Sequence, residues 1–135
     1  MKLLKGVTVA LAIMSGTMLM AQSGSATIKV TDLNGKTTVV SNASSSASSS
    51  CNSPDFPAIK GGKRTDVSFK DLKFITFMPY KASSNETLYI TAELEYRDGT
   101  KEEVEMSKYI RFSGKAGSED FSIPVTEINM IEVTG

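Results

Sequence analysis

Two carboxylates facing one cleft suffice for glycoside hydrolysis, and several oxygen ligands on one face suffice for calcium. The acids are therefore the first place to look for chemistry. Glu93 and Glu95 fall on alternate positions of one β-patterned run, with Lys101, Glu103 and Glu105 on the run that would lie opposite. Acids and bases alternate here as on a solvated sheet face with cross-strand charge pairs, and that reading is preferred over a calcium patch. Asp98, Glu119 and Asp120 stand at turn positions, where acids are ordinary. Tyr80, Tyr89, Tyr96 and Tyr109 offer rings for a sugar-stacking surface. With no tryptophan present, the preferred reading instead packs Tyr96 in the core and puts the other three at strand ends.

Other chemistries lack their residues. The chain has no histidine, which excludes Ser-His-Asp and Cys-His catalysis. Cys51 is the sole cysteine, so zinc has no ligand set, and the thiol has no histidine to ionise it. A single cysteine is a free thiol or an intermolecular link. In its serine-rich setting, an incidental thiol in a flexible loop is the simpler reading. No Ser-x-x-Lys signature occurs, and Gly61-Gly62-Lys63 is a turn, too short to cradle a phosphate. Asn42-Ala-Ser44 and Asn85-Glu-Thr87 match the glycosylation sequon, a common motif. No catalytic, cofactor-binding or metal-ligating residue is assigned, and no cofactor is expected.

Charge and the N-terminus speak to compartment. Basic and acidic residues balance at 15 each, which leaves no basic footprint for nucleic acid. Lys2 and Lys5 precede an uncharged apolar stretch from Gly6 to Met20, and Ala21 leads into Gln22-Ser-Gly-Ser25. This pattern predicts a signal-peptide helix over residues 1–21, cleaved near Ala21 or Ala26. The stretch is shorter than the ~20 apolar residues of a membrane span, so none is expected in the mature form. Without the two leader lysines, 13 basic residues face 15 acidic ones, a slightly acidic remainder. The expected localisation is periplasmic or secreted, in a bacterium.

The elements that would position these residues are strands, because no segment shows a sustained helical period. Asn34-Gly35 and Asp98-Gly99 stand between alternating runs, a strong hairpin cue. At Asp98-Gly99, a three-residue loop ending in a glycine bulge pairs Ala92 with Val104 and Ile90 with Met106. A two-residue loop would instead bring Glu103 opposite Leu94 on the buried face, so the three-residue loop is preferred. Downstream, Val67–Phe77 aligns without a gap on Ile123–Val133: Phe69 meets Val125, Asp71 meets Glu127, Leu72 meets Ile128 and Ile75 meets Ile131. In both, the alternation slips by one residue midway, which would send half the apolar side chains to the wrong face. A short 3₁₀-like turn at Lys70-Asp71 and Thr126-Glu127 would restore them. The organisation expected is a first β repeat over 22–79, a linker over 80–87 and a second β repeat over 88–135. Eight of the thirteen residues in 41–53 are serine, which predicts a mobile loop with nothing to bury. Pro54, Pro57 and Gly61-Gly62 are expected to extend this irregular region. Lys108–Ser113 supplies a third strand to the second repeat only.

Hairpin with an Asp-Gly or Asn-Gly tip, further strand, short turn and closing strand: this order resembles small SH3-like barrels, including the Sm-like kind. The doubled pattern also resembles a group of uncharacterised exported bacterial β-proteins. Both resemblances imply an all-β fold of two pseudo-equivalent antiparallel repeats, as small barrels or one fused sandwich, and carry no activity. The function expected is that of a non-enzymatic envelope or secreted structural or interaction module. Its partner would be an envelope or extracellular protein, met by an edge strand. The alternatives are a ligand-binding module for glycan or calcium and a carboxylate-dependent hydrolase.

Overall fold

The computed structural model describes residues 26–48 and 51–134. The expected signal peptide over 1–21 lies outside these residues. The described chain is all-β and holds no α-helix. Its strands are β1 (Ile28–Asp32), β2 (Thr37–Ser48), β3 (Cys51–Ser53), β4 (Asp55–Lys60), β5 (Lys63–Ser68), β6 (Leu72–Phe77), β7 (Tyr89–Tyr96), β8 (Lys101–Ser107), β9 (Arg111–Ala116), β10 (Glu119–Pro124) and β11 (Ile128–Val133). All pair antiparallel in one curled, half-barrel sheet of order β10-β9-β2-β1-β11-β6-β7-β8-β4-β5, with β3 on β2.

The hairpin tips follow from their glycines. Gly35 at φ 85° and Gly99 at φ 92° take the left-handed conformation that closes each three-residue loop. Gly35 N–H donates to Asp32 O, and Gly99 N–H to Tyr96 O. Asp98 Oδ1 accepts from the N–H and hydroxyl of Thr100, which lowers its pKa, the hydroxyl contributing most. The resulting register pairs Ala92 with Val104 and Ile90 with Met106, so Leu94, Val104 and Met106 all enter the core.

A 3₁₀ turn at Phe69–Asp71 links β5 to β6, and a second at Val125–Glu127 links β10 to β11. Phe69 and Val125 are buried by these turns. Beyond them β6 and β11 show the same burial alternation and lie side by side, Ile75 opposite Ile131. Phe112 of β9 sits where the two ends of the sheet curl together. It stacks on Phe56 at 6.1 Å and meets the edges or tilted faces of Phe69 at 6.2 Å and Phe77 at 6.4 Å. Such pairs contribute about 1 kcal/mol each beyond the area they bury.

Two stretches differ from expectation. Residues 41–48 are not a loop: β2 runs through them and pairs with β9, and β3 returns antiparallel. Serine suits this position because Ser45 is 2% exposed opposite Phe112, and its hydroxyl donates to Asp55 O at 2.8 Å. Residues 55–68 are not irregular either. Gly61 at φ 59° and Gly62 at φ 81° close a two-residue hairpin between β4 and β5, which gives the first half its further strands.

Candidate functional site

The acids singled out from sequence lie on the outer face of β7 and β8, where Glu93 stands directly opposite Glu103 and Glu95 opposite Lys101. Like charges directly opposed repel, and the segment after β6 answers this. Residues 78–88 fold back over the face. Lys81 pairs with Glu103, which raises the lysine pKa, with a smaller contribution from Glu93. Ser84 donates its N–H and hydroxyl to the two oxygens of Glu105 at 2.6 and 2.7 Å. Ser83 donates to Tyr89 O, and Thr91 is buried beneath the segment. Among the described residues no group of three or more acids or cysteines is placed to hold a metal ion. Asp98 stands at its hairpin tip, and Asp120 pairs with Lys115 across the β9–β10 hairpin, which lowers the acid's pKa.

On the inner side of the same sheet lies a cluster that spans three strands. Tyr96 of β7 donates its hydroxyl to Glu102 of β8 at 2.7 Å, and Lys60 of β4 approaches the same carboxylate at 2.9 Å. The Tyr96 hydrogen bond, followed by that from Lys60, lowers the Glu102 pKa. Burial, then the hydrogen bond to Glu102, raises that of Tyr96. The Glu102 hydrogen bond raises Lys60. None of the sequence cues brought Lys60 to Tyr96; the contact exists only because β4 crosses to β8.

That crossing is incomplete. Ile59 opposite Glu105 is the only ladder pair between β4 and β8, whereas β9 pairs β2 through Arg111, Phe112, Ser113 and Lys115. The register shows why at both ends: with Ile59 opposite Glu105, Pro57 falls opposite Ser107, and Gly61 of the hairpin tip falls opposite Glu103. The two-residue tip makes Lys60 and Lys63 the closing pair, so the main-chain groups of Pro57 and Ile59 point toward β8. Proline brings no N–H to that side. At the tip end, where the chain turns away at Gly61-Gly62, a groove of about 670 Å³ opens, lined by Glu102, Glu103, Val104 and Glu105 of β8 and by Gly61-Gly62. Alternation along β8 points the N–H and C=O of Glu103 into it.

At the end of the sheet where residues 78–88 begin, a second cleft of about 170 Å³ opens. Pro79, Glu86, Tyr89, Lys108 and Thr126 are among its walls. Tyr80, next to Pro79, is 81% exposed, and Tyr109, next to Lys108, is 64% exposed. The structure thus separates the four tyrosines: Tyr96 in the polar cluster, Tyr89 in the cleft, Tyr80 and Tyr109 on open surface. Of the two sequons, Asn42 is exposed at φ 52°, and Asn85 turns the chain by accepting from Thr87 N–H.

Among the described residues, the fold and these surfaces define an antiparallel all-β protein with a groove and a smaller cleft on one half. Compared with known proteins, the chain matches no family model, no curated protein and no solved structure.

Proposed function

We propose that the protein is an exported, non-enzymatic interaction module of the cell envelope or extracellular space, which binds an extended, basic segment of another protein in the β4–β8 groove. The observation that carries this reading is the single ladder pair between β4 and β8, which leaves β8 main-chain groups at Glu103 without a strand partner. The outer edges of the sheet are less suited. Exposed Lys63, Arg64 and Asp66 on β5, and Glu119 and Asp120 on β10, guard them with charge. Around the groove Glu102, Glu103 and Glu105 outnumber Lys60 and Lys81, which favours lysine or arginine on the incoming strand.

The same proposal covers the architecture. The chain is read as two copies of one unit of SH3-like plan, β1, β2, β4, β5 and β6 corresponding to β7, β8, β9, β10 and β11. Exchanging each strand for its counterpart turns the observed order into its own reverse. Phe56 and Phe112, like Ile75 and Ile131, are counterparts placed face to face. Each five-stranded set then takes its first hairpin from one copy and its last three strands from the other, as in a swapped dimer joined into one chain.

The test is capture from envelope extract by the full chain and by Glu103→Pro. The substitution removes the N–H that faces the groove and spares the β7–β8 ladder. A partner retained by the native chain, lost by the variant and able to slow amide exchange at Glu103 supports the proposal. Equal capture by both proteins refutes the site.

A further inference from the structure

We propose that the smaller cleft, between residues 79–89 and the β8–β9 turn, is a saccharide site that takes one pyranose ring and presents two tyrosines to the sugars beside it. The cleft is too small for a drug-sized ligand, which needs roughly 300 Å³ or more. Its 170 Å³ equals the share of five or six waters at ~30 Å³ each, the scale of a single substituted ring.

Its walls combine the two kinds of group such a ring needs. Tyr89 and Pro79 supply apolar surface for the C–H faces of a pyranose, while Glu86, Lys108 and Thr126 surround it with acceptors and donors. Glu86 and Lys108 belong to no ion pair among the described residues, so their charges are not spent elsewhere. Lys81 and Ser83 also line the cleft but are committed, to Glu103 and to Tyr89 O, and hold its wall in place.

The exposed rings extend the site outward. Tyr80 and Tyr109 each follow a wall residue and stand open to solvent, where an aromatic side chain has no packing partner to satisfy. A neighbouring sugar of an oligosaccharide would cover one of them while the first ring fills the cleft. This assigns a use to two of the largest exposed apolar side chains of the molecule.

The chain contains no tryptophan, so its ultraviolet emission comes from its four tyrosines, of which Tyr80, Tyr89 and Tyr109 line or flank this site. The full chain is titrated with chitotriose, cellotriose and a soluble N-acetylglucosamine–N-acetylmuramic acid fragment. A saturable emission change at millimolar concentration with at least one of them is expected. In the Tyr109→Ala/Lys108→Ala double variant that affinity falls about tenfold or more, the equivalent of ~1.4 kcal/mol, with the melting temperature unchanged. Tyr80→Ala alone is the gentler check, since its side chain is the most exposed of the set. Flat titrations with all three probes, or undiminished affinity in the double variant, overturn the proposal.

Discussion

Residues 26–77 and 89–133 meet along several ladders, and two of these seams, β2 on β9 and β4 on β8, are closed by different means. Between β2 and β9 the seam is zipped by main chain. Asn42, at φ 52°, takes up the break in register between the Ser113 and Lys115 pairs, and Gly114 lets β2 approach so closely that an added Cβ would lie 2.4 Å from Ser41 O. Between β8 and β4, Pro57 stands in the ladder and a single backbone pair survives. There the side chains of Lys60, Glu102 and Tyr96 span the opening instead. A backbone seam is short-range and solvent-independent once formed. A side-chain seam depends on charge, and it leaves room for a ligand.

Substitutions at the two seams can break this contrast. The largest effect is expected at Phe112, which meets three aromatic rings, whereas its stacking partner Phe56 on β4 meets one. Phe112→Ala should cost about 4 kcal/mol of unfolding free energy and Phe56→Ala about 3 kcal/mol. Equal losses in urea denaturation would show that the ring cluster is shared evenly.

Next comes Gly114→Ala, whose methyl group meets backbone that cannot swing away. It should cost about 2 kcal/mol, against about 1 kcal/mol for Ala58→Gly in the other seam. The opposite ranking in thermal melts would mean that the β2–β9 seam is not tightly closed. Ser45→Ala, which leaves Asp55 O short of a donor at a buried position, should cost about 1 kcal/mol.

The smallest effect belongs to the charged cluster. Its groups are about a third exposed, so a double-mutant cycle of Lys60→Met with Glu102→Gln should give a coupling of about 0.5 kcal/mol. Its pH dependence sharpens the comparison. Glu102 titrates below its ordinary 4.5, so its contribution is present above that value and is lost as pH falls through the folded pKa. Lys60 and Tyr96 titrate above their ordinary 10.5 and 10.0, so their contributions are complete below those values and are lost as pH rises through the folded ones. The coupling should therefore be constant between about pH 4.5 and 10.5, fading on the acid side as pH falls through the folded Glu102 pKa and on the alkaline side as pH rises through that of Lys60. The Ser45→Ala cost should not change across that window, and a parallel change in both would show that the seams do not differ in kind.

Local features of the fold were legible because their causes are local. Gly99 fixes the register of β7 on β8, and a slipped alternation can return to one core only through a bend, which is where Phe69–Asp71 and Val125–Glu127 lie. The seams were not legible. Nothing in a run of serines announces a strand, since serine's small side chain becomes useful only when Phe112 arrives from a distant part of the chain. The same holds for Lys60, whose partners on β7 and β8 are set by a crossing that no periodicity encodes. Of the two concave features described, the larger borders the Gly61-Gly62 tip, read in sequence only as a turn in irregular chain. The smaller was visible solely as a scatter of tyrosines.

The pairing of β1 with β11 sets Ile28 beside Val133, so the first described strand is completed by the last. Contacts this distant along the chain must close a large loop before they return any stabilisation, and proteins dominated by them fold slowly. During synthesis from the N-terminus, β1 and β2 can pair as a hairpin, but their ladders to β11 and β9 must wait for the end of the chain. The sheet can therefore be completed only after nearly the whole length of the chain has emerged.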